Sequence, residues 1–303
     1  MPPTTLHLVD ASPYIFRAFH ALPSSIVDPD GRPVNAVYGF ATFLLRLRDT
    51  ETPAHLALCF DGSFTTSFRN RIYADYKARR EPPPAELEAQ ADDCRAVGAA
   101  LGMATFVDDE YEADDLIATL AAVPGDEAED LVVVSSDKDL AQLVTERVAL
   151  FDFARQRRFG PAEVMEKLGV RPPQVPDLLG LAGDAVDNIP GVPGIGAKTA
   201  VALLRAFDSL EELLDAVRET PEIVAGLPIR GARGVATRLA EHSEQARLSK
   251  RLATVSRRAP VESELAELRY RGPDEAAVDE LCARLGFDRL RERLLSAPAP
   301  RAR

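Results

Sequence analysis

Short apolar runs alternate with longer helix-like stretches through the first half of the chain. The runs cover four or five residues each and are bounded by turn-forming or helix-starting residues. This alternation is typical of β-α-β units, and it predicts an α/β fold with a mainly parallel central sheet and helices on both faces. The predicted strands are residues 6–9, 56–60 and 131–134.

An aspartate follows each of these runs. Asp10 and Asp61 come directly after the first two, and Asp137 comes shortly after the third. A single aspartate at a strand end commonly caps the helix that follows. In a parallel sheet, however, the carboxyl ends of the strands meet at one edge, where functional groups gather. Three aspartates at that edge therefore favour a functional site.

The second half of the chain is helical in pattern after Phe159. Glycines and prolines in NIPGVPGIGAKTAVALLR predict a tight loop that leads into a helix beginning near Ala197. A basic helical region follows, with eight basic and two acidic residues between Gly226 and Arg258. Further helices are predicted at residues 161–168, 174–181 and 272–295, before a disordered tail.

Residues 64–84 form a basic and aromatic segment, FTTSFRNRIYADYKARREPPP, with five basic residues and one acidic residue up to Arg80. Its three consecutive prolines should separate it from the next helix, which is predicted at about residues 86–101. A solvated surface loop has such a composition. Tyrosines interleaved with arginine and lysine also suit single-stranded nucleic acid, so both interpretations stay open.

The composition is that of a globular protein, since 46% of the 303 residues are hydrophobic and 28% are charged. No apolar run reaches the roughly 18 residues of a membrane span, and the N-terminus lacks the pattern of a secretory signal. Three scattered cysteines are too few for a disulfide framework or a zinc site. These features predict a cytoplasmic protein. The net charge of −12 does not exclude DNA, because basic residues are concentrated locally.

Nine carboxylates are concentrated in five short motifs: LVDAS, FDGS, YEADD, SSDKD and GDAVD. In YEADD the glutamate and the last aspartate are three apart, on one face of a helix start, and the aspartates of GDAVD have the same spacing. So many like charges can converge only around cations. Oxygen ligands favour magnesium or manganese, and two such ions suit phosphodiester hydrolysis. The residues are Asp10, Asp61, Glu112, Asp114, Asp115, Asp137, Asp139, Asp184 and Asp187.

The order of these motifs, together with NAVYGF, YADYKARR and NIPGVPGIGAKTA, resembles that of the 5′ nuclease domain of bacterial DNA polymerase I and, more broadly, of the flap endonuclease family. The resemblance covers residues 5–295 and is to the stand-alone bacterial form. It implies a PIN-like or resolvase-like α/β core in residues 1–170, with a helical arch at about residues 64–92. It also implies a helical region with a helix-three-turn-helix in residues 171–295, followed by a tail of residues 296–303.

By this resemblance, all nine carboxylates are ligands of divalent cations. Lys77 and Arg80 match the basic residues at the base of the family's arch, where they would neutralise the phosphate that is cut. Tyr76 lies beside them and is assigned to DNA binding. Phe16 matches an aromatic position that stacks on a base in some relatives, although it is equally compatible with the core.

The glycine-rich loop resembles the family's helix-three-turn-helix. A glycine loop that runs into a helix offers backbone N–H groups to a duplex phosphate, with a lysine alongside. The residues assigned to DNA binding here are Gly191, Gly194, Gly196, Lys198 and Thr199. The resemblance also implies a potassium ion that backbone carbonyls of this loop hold.

The implied function is that of a metal-dependent 5′-3′ exonuclease and flap endonuclease. It would act as a monomer, by a two-metal mechanism, on DNA with free 5′ ends, flaps or nicks. Two alternatives stay open. A PIN-like ribonuclease shares the sheet-edge carboxylates but normally lacks both the arch and the glycine loop. A non-catalytic module for branched DNA should have lost carboxylates, whereas none of the nine is missing.

Overall fold

A six-stranded sheet forms the centre of the structure, a computed structural model that describes residues 5–63, 66–123, 125 and 130–296. The strands are β1 (Thr5–Asp10), β2 (His55–Asp61), β3 (Ala104–Asp108), β4 (Asp130–Val134), β5 (Val148–Asp152) and β6 (Arg157–Phe159). Their order in the sheet is β3-β2-β1-β4-β5-β6. Neighbours from β3 to β5 run parallel, and β6 pairs antiparallel with β5.

Helices cover both faces of this sheet and make up the second part of the chain. The first part contains α1 (Ser12–Ala21), α2 (Asn35–Glu51), α3 (Phe68–Ile72), α4 (Ala85–Glu88), α5 (Ala91–Ala100) and α6 (Ala113–Leu120). The second part contains α7 (Pro161–Leu168), α8 (Val175–Ala182), α9 (Ala197–Ala206), α10 (Leu210–Glu219), α11 (Pro221–Ala225), α12 (Ala232–Glu241), α13 (Ser243–Ala253), α14 (Glu275–Leu285) and α15 (Asp288–Leu295).

The central strands are buried on both faces, which explains why they are continuous apolar runs. Alternate residues of β2 belong to two separate cores: Leu56 and Leu58 to one, Ala57 and Cys59 to the other. The first core is completed by α1, α2, α5, α14 and α15. The second is shared with α6 and the helices α7 to α13, so the helical region is continuous with one face of the sheet.

The last two helices return to the sheet domain. The buried Arg48 side chain of α2 donates hydrogen bonds to the backbone oxygens of Leu294 at 3.3 Å and Arg293 at 3.4 Å. These carbonyls lie at the C-terminus of α15, where a cation satisfies groups that have no helical partner. Arg48 therefore holds the end of the described chain against the first core.

The structure confirms the predicted fold class and its three strands, which are β1, β2 and β4. It also confirms that a helix, α9, begins at Ala197. The helix expected at about residues 86–101 is divided, because α4 ends at Glu88 and α5 begins at Ala91. Of the predicted tail, residues 297–303 lie outside the described part of the chain. No helix of the described residues is long and apolar enough to cross a membrane.

Candidate active site

A cleft of about 420 Å³ opens at the carboxyl edge of the sheet, beyond the ends of β1 and β2. Lys77, Arg80 and Phe16 contribute to its walls. Parallel strands bring their last residues to the same edge, and this is why aspartates far apart in sequence meet here. Six of the nine predicted carboxylates line the cleft: Asp10, Asp61, Glu112, Asp114, Asp137 and Asp187.

Two of these carboxylates end strands and are oriented by hydroxyl groups. Asp10 is buried, and its Oδ2 accepts a hydrogen bond from Ser135 Oγ at 2.7 Å. Asp61 Oδ2 accepts from Ser12 Oγ at 2.5 Å, and its Oδ1 accepts from the Ala113 N–H at 2.8 Å. These neutral donors fix the carboxylates in place without neutralising their charge.

Glu112 lies at the start of α6 and is paired with a cation. Lys77 Nζ donates to Glu112 Oε1 at 2.6 Å. Burial alone would raise the pKa of Glu112, but Lys77 and Arg69 hold that pKa below its usual value. Burial alone would lower the pKa of the Lys77 ammonium, and Glu112 raises it instead. Both partners of this pair are therefore charged at neutral pH.

The loop after β4 carries Asp137 and Asp139. The Asp139 N–H donates to Asp137 Oδ1 at 2.8 Å, and the Asp137 N–H donates to Ser135 Oγ at 3.0 Å. Asp139 lies in a narrow space beside Glu112 and Asp114. Its Oδ1 is buried and has no hydrogen-bond partner within the described residues. This carboxylate oxygen lacks the positive group that its burial requires.

Among the nine predicted ligands, burial raises the pKa of four carboxyl groups and is the largest cause for each: Asp10, Asp114, Asp137 and Asp139. Neighbouring carboxylates raise it further. Asp61 acts on the pKa of Asp10 in this way, and Asp137 acts on those of Asp114 and Asp139. Negative charge in the cleft therefore exceeds what the protein's own cations compensate.

Asp184 and Asp187 lie in a loop of residues 184–189 after α8, which we call the latch loop. They are three residues apart, as on one face of a helix, but this segment is not helical. The Asp184 N–H donates to Ile189 O at 2.9 Å and the Ile189 N–H donates to Asp184 O at 2.8 Å, so the segment closes on itself as a tight loop. Lys138 Nζ contacts Asp184 Oδ2 at 2.5 Å. The guanidinium of Arg80 contacts Asp187 Oδ1 at 2.5 Å.

Two carboxylates of the cleft, Glu112 and Asp187, pair with Lys77 and Arg80, and Asp184 pairs with Lys138. Among the described residues, no group of three or more acidic, histidine or cysteine side chains is arranged to hold a metal ion as it stands. The pairs with Lys77, Arg80 and Lys138 direct oxygens of Glu112, Asp187 and Asp184 toward nitrogen atoms of the protein. A shared cation would have to displace some of these contacts.

Asp115 is directed away from the cleft and is fully buried. Its two oxygens accept hydrogen bonds from the Arg69 guanidinium at 2.7 and 2.8 Å. Asp115 Oδ1 also accepts from the Ser256 N–H at 2.6 Å, and Arg69 Nε donates to Leu252 O at 2.8 Å. The predicted role of Asp115 as a metal ligand is corrected accordingly. Its oxygens bind Arg69 and connect α6 to the segment after α13.

The two aromatic residues assigned to DNA binding have different environments. Tyr76 is only 3% exposed, and its hydroxyl oxygen lies 3.2 Å from Glu112 Oε2 and 3.3 Å from Asp187 Oδ2, either of which can accept its one hydrogen. A buried ring cannot stack on a base, so the assignment of Tyr76 to DNA binding is corrected to support of the carboxylates. Phe16 is half-buried, lines the cleft and packs against the first core.

The glycines of the loop at residues 191–196, which we call the hairpin loop, serve different purposes. Gly191 is buried, and a Cβ there would lie 2.3 Å from the Gly183 nitrogen, so this glycine permits backbone packing inside the protein rather than contact with DNA. Gly194 has a φ of +75°, which side chains with a Cβ rarely adopt. Gly196 faces open space.

The N-terminus of α9 follows the hairpin loop directly. No side chain caps this helix, whose first flanking residue is Gly196. Lys198 is exposed and Thr199 is half-buried in the first turn. Uncapped N–H groups with a lysine alongside form an arrangement that can bind an anion. The location agrees with the prediction for this segment, while its role in DNA binding stays a prediction.

Sequence reasoning missed several residues that shape the cleft. Ser12 and Ser135 lie inside the motifs LVDAS and SSDKD. A hydroxyl close in sequence to an acidic residue at a strand end could have indicated that they orient carboxylates. Arg69 was counted only as part of a basic segment. Its burial depends on contacts with residues more than forty positions away, which local pattern does not reveal.

Two family models match consecutive parts of the chain. The first, described as "5′-3′ exonuclease, N-terminal resolvase-like domain", matches residues 5–169. The second, described as "5′-3′ exonuclease, C-terminal SAM fold", matches residues 170–276. Together they cover both the sheet domain and most of the helical region.

Curated relatives with similar sequences are DNA polymerases I. That of Rhizobium leguminosarum is 41% identical over 225 residues, which are 72% of this chain and 22% of the relative. That of Bacillus subtilis (strain 168) is 39% identical over 252 residues, or 81% of this chain and 27% of the relative. The chain thus spans about a quarter of the length of the curated relatives that it matches.

Solved structures share the fold at low sequence identity. T5 5′-exonuclease with divalent metal ions (zinc) bound has a TM-score of 0.66 at 20% identity, with 96% of this chain and 98% of that chain covered. The catalytic core of Rad2 in complex with DNA substrate has a TM-score of 0.60 at 14% identity, with coverage of 94% and 88%.

Proposed function

Because the chain belongs to the 5′-3′ exonuclease family, we propose that it hydrolyses phosphodiester bonds in DNA as a 5′-3′ exonuclease and structure-specific flap endonuclease. Its substrates would be duplexes with free 5′ ends, flaps or nicks, and it would act as a monomer. The observation that carries the proposal is the cleft, where six carboxylates face Lys77 and Arg80 at the sheet edge.

The chemistry of the cleft fits divalent cations. Asp139 Oδ1 is buried without a partner within the described residues, and burial raises the pKa of Asp10 and Asp114 beyond what their neighbours offset. A cation between these groups would relieve the repulsion. Because every candidate ligand is an oxygen, magnesium and manganese suit the site better than zinc does.

Eight of the nine predicted carboxylates would hold these cations, and Asp115 is left out because Arg69 binds both of its oxygens. A bound pair of divalent cations would lower the pKa of a water molecule and would place positive charge beside the phosphate. The eight residues are Asp10, Asp61, Glu112, Asp114, Asp137, Asp139, Asp184 and Asp187.

Lys77 and Arg80 would bind the phosphate that is cut. Both line the cleft. Each donates one short hydrogen bond to a carboxylate, from the Lys77 ammonium to Glu112 and from the Arg80 guanidinium to Asp187, and has further N–H groups that can donate to a phosphate. In the transition state, charge develops on the phosphate oxygens, and preorganised donors stabilise it. Phe16, on the cleft wall, would support a base beside the cut.

The hairpin loop and α9 would bind the duplex away from the cut. The uncapped start of α9 and the exposed Lys198 suit a backbone phosphate, and Gly196 leaves room for its approach. Contacts of this kind fix the register of the duplex without reading its sequence. A potassium ion held by carbonyls of this loop stays a prediction.

The proposal is tested by digesting 5′-labelled flap, nicked and blunt DNA duplexes with magnesium or manganese and measuring product lengths. We expect short products from free ends and a product one flap long from flap substrates. Asp187→Ala serves as the matched inactive variant, because Asp187 is a proposed ligand at the rim of the cleft. Metal-dependent cleavage that survives undiminished in this variant would contradict the proposal that this cleft cuts the DNA.

Matched substrates with an RNA flap separate the proposal from a ribonuclease. Preferential cleavage of RNA would favour that alternative. Binding of branched DNA with no cleavage under either metal would instead favour the non-catalytic alternative. Neither outcome is expected, because the chain has both the segment containing Lys77 and the hairpin loop, and none of the eight proposed carboxylate ligands is missing.

A further inference from the structure

Two segments far apart in sequence meet at the rim of the cleft. One is the latch loop. The other is the turn of residues 75–80, which we call the arch base. The Lys77 N–H donates to Asp187 O at 2.9 Å. The Asn188 side-chain Nδ2 donates to Asp75 O at 2.6 Å. The latch loop therefore holds the main chain of the arch base on both sides of Tyr76.

The backbone of both segments is unusual at the point of contact. Lys77 has a φ of +55° and Asn188 has a φ of +54°. Asparagine adopts this left-handed region comparatively readily, whereas lysine does so rarely because its Cβ approaches the following carbonyl. A strained conformation persists only when the surroundings hold it. Around Lys77, three hydrogen bonds provide that hold: from the Lys77 N–H to Asp187 O, from Asn188 Nδ2 to Asp75 O, and from Asn70 Nδ2 to Tyr76 O.

The consequence reaches the cleft through the Lys77 side chain. Its Nζ lies 2.6 Å from Glu112 Oε1 and 4.0 Å from Asp187 Oδ2. If the backbone of Lys77 relaxed to a negative φ, the direction of its Cα–Cβ bond would change and the ammonium would leave this position. The left-handed backbone at Lys77 therefore determines the position of its ammonium group in the cleft.

The latch loop is also joined to the proposed duplex-binding region. It leads through Pro190 into Gly191, whose N–H donates to Ser249 Oγ of α13 at 3.0 Å. Gln245 Nε2 of the same helix donates to Gly191 O at 2.7 Å. The backbones of Gly191 and Gly183 also pack closely, since a Cβ on Gly191 would lie 2.3 Å from the Gly183 nitrogen. The latch loop is therefore continuous with a closely packed segment that leads into the hairpin loop.

We propose that Asn188 is a positioning residue: its carboxamide holds the arch base in the strained conformation that directs Lys77 into the cleft. The inference rests on the proposed nuclease function. It assigns to Asn188 a role that acts through Lys77 and not through contact with DNA.

Two substitutions separate this role from a purely conformational one. Asn188→Gly preserves the left-handed backbone and removes the carboxamide. Asn188→Asp tolerates the same backbone but presents only acceptors to the Asp75 carbonyl when ionised. If Asn188 served only to form the turn, Asn188→Gly would be neutral. The proposal instead predicts that both variants fail to hold the arch base.

The first measurement is the single-turnover cleavage rate of a flap substrate at saturating enzyme, together with duplex affinity. We expect Asn188→Gly to cleave about 3- to 10-fold more slowly, which corresponds to the net contribution of one hydrogen bond, and to bind the duplex with unchanged affinity. In a Lys77→Ala background the same substitution should have no further effect, because the two residues act in one step. Multiplicative losses in the double variant, or a loss confined to affinity, would overturn the proposal.

The second measurement is amide hydrogen exchange, which does not depend on activity. Asn188→Gly should accelerate exchange of the Lys77 and Arg80 amides and leave α9 protected. Gln156→Gly is the matched control, because Gln156 also has a left-handed φ of +53° and donates a side-chain amide to a carbonyl, Phe153 O, at 2.6 Å, but in the turn between β5 and β6.

The control should change neither exchange in the arch base nor cleavage. If the unaltered protein cuts no DNA, the proposed function fails, whereas faster exchange at residues 75–80 in Asn188→Gly would still support the positioning role. If exchange and the cleavage rate in Asn188→Gly both match those of the unaltered protein, the positioning role is refuted while the nuclease function stands.

Discussion

The cleft and the hairpin loop differ in how their functional groups are held. In the cleft, Lys77 and Arg80 are bound to carboxylates, and the hydroxyls of Ser12 and Ser135 orient others. At the hairpin loop, Lys198 is exposed and the start of α9 is uncapped. Charges in the cleft are interdependent, whereas those at the hairpin loop are available to a ligand.

This difference determines what substitutions should do. Removing one charged group from the cleft leaves its partner uncompensated and changes the electrostatics of the whole site. Removing one group from the hairpin loop removes a single contact. We therefore expect cleft variants to lose cleavage rate and hairpin variants to lose affinity. Four sets of substitutions test this contrast, from the largest expected effect to the smallest.

The largest effect is expected from carboxylates of the cleft. Asp139→Ala or Asp187→Ala should abolish cleavage while DNA binding is retained or tightens, because each removes negative charge and a proposed cation ligand. Single-turnover cleavage and a binding titration with magnesium measure the two effects. Asp215→Ala on α10, which removes a half-exposed carboxylate of a surface pair, is the control and should be unchanged. Near-normal turnover in Asp139→Ala would refute the two-metal assignment.

The next effect is on stability and concerns the buried pair of Arg69 and Asp115. Arg69→Met should lower the free energy of unfolding by about 3–5 kcal/mol, because it leaves Asp115 buried without a partner. Urea unfolding with a chelator present measures this. Arg71→Met is the control on the same helix. Its pair with Glu110 is exposed, so about 0–1 kcal/mol is expected.

Equal, small losses in the two variants would mean that Asp115 does not depend on Arg69. Its oxygens would then be free for a cation, and the original assignment of Asp115 as a ligand would regain support. In the double variant Arg69→Met with Asp115→Leu, much of the lost stability should return, since no buried charge is left unpaired.

The contrast between these residues also shows how far the sequence could predict the structure. Asp10 and Asp61 could be assigned to the sheet edge, because strand ends and parallel topology follow from local pattern. Asp115 could not be separated from Asp114, although one faces Arg69 and the other the cleft. That distinction depends on the buried Arg69, which binds Asp115 and carbonyl oxygens of the helical region. These are tertiary contacts, which the local sequence pattern does not reveal.

A similar limit applies to the glycines of the hairpin loop. Their spacing predicted a tight loop before a helix, and α9 begins at Ala197. The spacing could not show that Gly191 packs against Gly183 inside the protein while Gly196 faces open space. Glycine is required wherever the backbone is crowded or left-handed, and the sequence does not indicate whether the neighbour is protein or ligand.

A smaller but still large effect on rate is expected at the arch base. Lys77→Ala and Arg80→Ala should each slow the chemical step by about 10²–10³ with little loss of affinity, because they act on charge that develops in the transition state. Arg79→Ala is the control, since Arg79 is exposed between them and does not line the cleft. Unchanged single-turnover rates with weaker binding would show that these residues only tether DNA.

The smallest effect is expected at the hairpin loop, and it should appear in affinity alone. Lys198→Glu should weaken binding to branched duplex DNA of any sequence, because Lys198 is proposed to contact a phosphate and no base. The slope of log affinity against log salt concentration should become shallower by about 0.9, the contribution of one phosphate contact. Lys167→Glu on α7 is the control for the same change of charge at an exposed lysine outside the hairpin loop.

The cleavage rate at saturating Lys198→Glu should match that of the unaltered protein, because no group of the cleft has been changed. An equal loss of affinity in Lys198→Glu and Lys167→Glu would show that the effect comes from net charge and not from a contact at Lys198. A variant that binds normally but does not cut would assign Lys198 to the chemical step and remove the distinction between the two regions.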